Sequence, residues 1–99
     1  MIMLGSISTH LTTRALGKRV RELILKRLES STQVLLDFTG VEMASHSFCD
    51  EAFGKLLQEL GFVKFKRRVK FSGCSAEVES VIKFALRNRL VEEKVYVTC

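Results

Sequence analysis

Residues 35–61, LLDFTGVEMASHSFCDEAFGKLLQELG, hold two periodicities and the switch between them. Val34, Leu35, Leu36 and Phe38 form an apolar run too short for a buried helix, and its β-branched and bulky residues suit a buried strand. Asp37 and Thr39-Gly40 close that run. From Phe48 onward, Phe48, Ala52, Phe53, Leu56, Leu57 and Leu60 recur at intervals of three and four, the signature of one helix face. Gly61 stands where a helix C-terminus places a glycine. Ala44-Ser45-His46-Ser47 bridges the two elements. A strand-to-helix junction exposes unpaired backbone N–H groups and the positive end of the helix dipole, so function is expected there.

Working outward, residues 2–8 carry a weak strand signal, whose parallel or antiparallel pairing the sequence leaves open. Thr12 or Thr13 is placed to cap a helix from about Arg14 to Leu28, with Leu16, Val20, Leu23, Ile24 and Leu28 on its apolar face and Lys18, Arg19, Arg21, Glu22, Lys26 and Arg27 on the other. Ser30-Ser31-Thr32 reads as a turn. Val69 and Phe71 alternate with Lys70 in a strand near 68–72, which Gly73 breaks. Cys74 or Ser75 then caps a helix over about 76–87, buried through Val78, Val81, Ile82, Ala85 and Leu86. Val95-Tyr96-Val97 reads as a terminal strand. The order is βαβαβαβ: an α/β domain over residues 1–99 with a mostly parallel sheet packed by helices.

Ninety-nine residues suffice for one small core. There is no run of eighteen apolar residues to span a membrane. The opening MIMLGSISTH lacks a basic segment and a long apolar stretch, so a cytoplasmic protein is expected. Cys49, Cys74 and Cys99 are odd in number and widely spaced, which fits neither a disulfide framework nor a zinc site; no metal or cofactor is expected. The formal charge of +5 permits an acidic protein or nucleic acid as partner.

The strand ending in Asp37-Phe38, the following Ser47-Phe48-Cys49-Asp50-Glu51, and the upstream Thr13-Arg14-x-x-Gly17 with its basic helix resemble the STAS-like family of unknown function. That family is related to the bacterial anti-sigma-factor antagonists. The resemblance covers nearly the whole chain. It implies a STAS-like fold and a regulatory protein–protein interaction in signalling or transcription, with a histidine-kinase-type ATPase or anti-sigma-like factor as partner. In the antagonists a serine of an Asp-Ser-Ser-Gly pattern is phosphorylated and binding is blocked. Over this chain the pattern falls on Ser45-His46-Ser47-Phe48, so His46 occupies the acceptor position and Phe48 replaces the glycine.

Ser45, His46, Ser47, Phe48, Asp50 and Glu51 are therefore the expected partner-binding residues, with Ser47 and Ser45 as phosphorylation candidates. Each also has a plainer reading. Ser47 is placed to cap the helix by accepting from the N–H of Cys49 or Asp50. Asp50 and Glu51 suit the first helical turn, and because helical neighbours diverge by about 100° at most one is expected to face inward. Cys49 and Cys74 read as small, half-buried packing residues. His46, Ser47 and Asp50 are hydrolase residue types, but neighbours on one tight turn rarely make a triad, and no enzyme activity is expected. Lys64, Lys66, Arg67, Arg68 and Lys70 place five cations in seven residues around Phe65. They read either as a solvated loop that guards an edge strand or as a nucleic-acid-binding patch, the alternative function. Edge-strand pairing into a homodimer is a third possibility.

Overall fold

The structure is a computed structural model that describes residues 1–98, with side chains described for residues 1–90. Three parallel strands form its sheet in the order β1 (Ile2–Met3), β3 (Val34–Asp37), β5 (Val69–Ser72). Ile2 lies opposite Leu36 and Leu36 opposite Phe71, and these side chains turn to the core. One residue along, Leu35 lies opposite Lys70, and both are exposed. Only one sheet face is covered, so the apolar run 34–36 alternates between core and solvent and is not buried throughout. Parallel pairing of β1 settles the orientation the sequence left open.

A second pair, β2 (His10–Leu11) and β4 (Met43–Ala44), is also parallel. At two residues each, neither strand shows a period of its own. They form because the chain entering α1 (Arg14–Leu28) and the chain entering α2 (His46–Cys49) run side by side. Thr13 caps α1 by accepting from Leu16 N at 3.1 Å.

The helix expected over 48–60 starts two residues earlier and is not α-helical throughout. After α2 comes a π-helical turn, Asp50–Gly54, and then α3 (Lys55–Leu60). Gly61, at φ +82°, ends α3, and the chain re-enters a helix at once as α4 (Phe62–Arg68). Much of the cationic segment read as a loop is thus α4. Phe53, in the π turn, lies edge-on to Phe38, Phe48 and Phe71 with centroids 5.3–6.0 Å apart, which places the π turn at the centre of the core.

Ser75 caps α5 (Ala76–Thr98) by accepting from Val78 N at 3.2 Å. The terminal strand expected at Val95-Tyr96-Val97 is not formed: the backbone there continues α5. No glycine or proline interrupts the sequence from Ala76 to Cys99, so nothing stops the helix near residue 87, and the β preference of Val-Tyr-Val does not override it. The fold remains α/β, with every strand pair parallel and the helices packed on the sheet.

Candidate functional site

Ser45, not Ser47, caps the helix at the junction. Its Oγ accepts from Phe48 N at 3.1 Å and donates to Thr12 O at 2.9 Å, tying the entries of α1 and α2 together. Ser47 is exposed, and its hydroxyl has no hydrogen-bond partner among the described residues. Of the two phosphorylation candidates, one is committed to the fold and one faces solvent.

Phe48 is fully buried beside Phe53, because it begins the apolar helix face; it is core and offers nothing to a partner. Asp50 and Glu51 are each only 7% exposed. The expectation that at most one turns inward is overturned, since the π turn is packed on two sides, by α1 and by α5. Asp50 meets α5: Arg89 donates to its two oxygens from Nε and Nη2, each at 2.8 Å. Glu51 meets α1: Arg21 donates to Oε2 at 3.0 Å and to the backbone carbonyl of Glu51. Arg14 spans the pair, reaching Asp50 at 3.0 Å and Glu51 at 3.2 Å, and Lys55 adds a contact to Glu51 at 3.1 Å. The carboxylates expected among the partner-binding residues are thus held by cations of the chain itself.

These bonds keep both carboxylates ionised. Hydrogen bonds from Arg89, then Arg14, outweigh burial and hold Asp50 down at about 2. Burial pushes Glu51 upward, but bonds from Arg21, Lys55 and Arg14 overcome it and hold this group also at about 2. Two glycines make the close packing possible. A Cβ on Gly17 would lie 2.8 Å from the Phe48 carbonyl oxygen and 2.9 Å from Glu51 Cβ. One on Gly54 would lie 2.9 Å from Asp50 Oδ1 and 3.1 Å from Arg89 Cγ. Burial, with the nearby Cys74 adding to it, pushes the Cys49 thiol up to about 12, so Cys49 is a packing residue.

What remains at the surface is His46 and Ser47 with two side chains that sequence reasoning missed. Phe84 on α5 is 54% exposed and meets the His46 ring edge-on, centroids 5.1 Å apart. Met43 is 52% exposed and, with Val78 and Val81, lines a cleft of about 190 Å³ between β4 and α5. Phe84 falls off the face defined by Val78, Ile82 and Ala85, a signal visible in the helical spacing. Arg89 lies thirty-nine positions from Asp50, and no local pattern joins them.

Among the described residues, no hydrogen bond links His46, Ser47 and Asp50, and no three His, Cys, Asp or Glu side chains converge on a metal-sized space. No helix among the described residues is long and apolar enough to cross a membrane. The cations at 64–70 are split: Arg68 and Lys70 bind backbone carbonyls, Lys66 lies 5.9 Å over the Phe62 ring, and Lys64 and Arg67 face solvent.

Parallel strands packed by helices in this order define a STAS-like α/β domain. The family model of the STAS-like domain of unknown function matches residues 17–79, and the chain belongs to that family. The match spans both buried carboxylates but not Arg14 or Arg89, which supply much of their neutralisation. No curated protein and no solved structure matches the chain.

Proposed function

We propose that this domain is a non-enzymatic regulatory module that binds another protein through the surface formed by Met43, His46, Ser47 and Phe84. The observation that carries the reading is the pairing of exposed apolar and free polar groups at one helix start. Phe84 meets the His46 ring edge-on, the neighbouring Ser47 hydroxyl has no hydrogen-bond partner among the described residues, and Met43 is exposed on β4, the strand that leads into this helix. Aromatic and methionine side chains exposed beside polar ones are characteristic of interface cores. The family's kinship with anti-sigma-factor antagonists favours a histidine-kinase-type ATPase or similar regulator as the partner.

Ser47 is the residue at which phosphorylation would act. A phosphate would add about −2 charge in the middle of this surface. The nearby carboxylates of Asp50 and Glu51 do not argue against it, because the arginines and Lys55 neutralise them. The test is capture from the native host with wild-type and Phe84→Glu protein, followed by incubation of the recovered complex with ATP. An ATPase of histidine-kinase type retained by wild type and lost with Phe84→Glu supports the reading. Equal recovery by both refutes the surface. A phosphate-affinity shift that persists in Ser47→Ala refutes the switch.

A further inference from the structure

The cations of segment 64–70 converge on a concave surface whose other wall comes from elsewhere in the chain. Lys64, Arg67 and Arg68 of α4 and Lys70 of β5 face Thr32 and Gln33 of the turn after α1 across an open groove of about 560 Å³. Among the described residues, no carboxylate lines it. Two of the four cations are built in. Arg68 donates to Leu28 O at 2.7 Å, Ser31 O at 3.0 Å and Thr32 O at 3.1 Å, and Lys70 Nζ donates to Lys66 O at 2.8 Å. Gln33 Nε2 donates to Arg67 O at 3.1 Å and joins the two walls. Lys64 and Arg67 extend from this base, exposed, with no partner for their charges among the described residues.

Four like charges held together repel one another; backbone carbonyls hold Arg68 and Lys70, but no counter-charge meets Lys64 or Arg67 among the described residues. A concave, low-dielectric wall also concentrates their field. Such a surface is complementary to a linear polyanion. We propose that this groove binds the phosphate backbone of a single-stranded nucleic acid. A duplex reader needs a helix face turned to base edges, whereas α4 has only seven residues and carries most of its cations in its last turn. A lipid surface calls for a protruding apolar rim; here the charges line a hollow with hydrogen-bonding walls. This inference does not depend on the surface at Phe84.

The test is fluorescence anisotropy with labelled oligo-dT and oligo-U of ~12 nucleotides, a labelled duplex, and phosphatidylserine vesicles, at ~50 to ~200 mM salt. Wild type is expected to bind the single strands. In Lys64→Gln/Arg67→Gln the log–log salt slope should become shallower by about 1.4, or ~0.7 for each phosphate no longer neutralised, and affinity should fall at least about tenfold at low salt. Lys18→Gln/Arg19→Gln makes the same change in net charge on α1 and should shift affinity by no more than about twofold. Absence of single-strand binding at low salt would overturn the proposal. So would equal weakening in the α1 pair, or equal or tighter binding to duplex or vesicles.

Discussion

Asp50→Ala tests whether the ionic cluster around the π turn holds the helices together. The substitution removes the carboxylate that receives Arg89 twice at 2.8 Å and Arg14 once at 3.0 Å. Removing one partner of a buried ion pair costs about 3–5 kcal/mol, because the charge left behind stays buried. Two features set the value here near the lower bound. The Arg14 side chain is 51% exposed and regains water, and Arg89 keeps its 2.7 Å bond to Gln58. The expected loss is therefore about 3 kcal/mol, a large part of the ~5–15 kcal/mol that holds a small domain folded. With a urea slope of about 1.5 kcal/mol per molar, the midpoint falls by about 2 M. Urea titration followed by far-UV circular dichroism at neutral pH measures this. Arg89→Ala should cost a similar amount, and the double variant should lose less than the sum by at least about 1 kcal/mol. A loss in Asp50→Ala below about 1 kcal/mol, or strict additivity in the double variant, would show that these ion pairs are spectators.

Both carboxylates titrate lower in the folded chain than when unfolded, so their stabilisation is complete above their ordinary values of 3.8 and 4.5 and disappears as pH falls toward about 2. Stability measured from neutral pH downward should drop through that window, and more gently in Asp50→Asn. Gly17→Ala should destabilise by about 1 kcal/mol or more, since crowding against the Phe48 carbonyl outweighs a helix-propensity gain of about 1 kcal/mol; thermal unfolding that shows net stabilisation would contradict the packing described. Ser45→Ala should cost about 1–2 kcal/mol and Ser47→Ala less than about 0.5, because only the first caps a helix; equal effects in urea titrations would reverse the assignment.

The elements with strong local signals were legible in the sequence. The bounds of α1 and the strand from Val34 follow from spacing and capping chemistry that act within a few residues, which also narrowed the cap of α5 to Cys74 or Ser75. Four features were not legible, each for a physical reason. Ser45 and Ser47 stand two residues apart and are equally able to cap, and only the carbonyl of Thr12, brought in by a remote part of the chain, favours Ser45. The π turn has no local signature; it depends on glycines at 17 and 54 that let α1 and Arg89 approach. The pairing of Arg89 with Asp50 is purely tertiary. The groove of cations needs Thr32 and Gln33, which carry no charge and read as turn. Four of the six expected partner-binding residues, Ser45, Phe48, Asp50 and Glu51, belong instead to the scaffold beneath the candidate surface.

Gly17 lies between Arg14 and Arg21, at spacings of three and four along α1. Only at that position can the helix backbone touch the π turn, and only in that register do the guanidiniums on either side reach Asp50 and Glu51. Sliding α1 by one turn would press an arginine stem into the Phe48 carbonyl. Distance, axial alignment and charge matching are thus selected by a single keyed fit, which disfavours misdocked arrangements of α1.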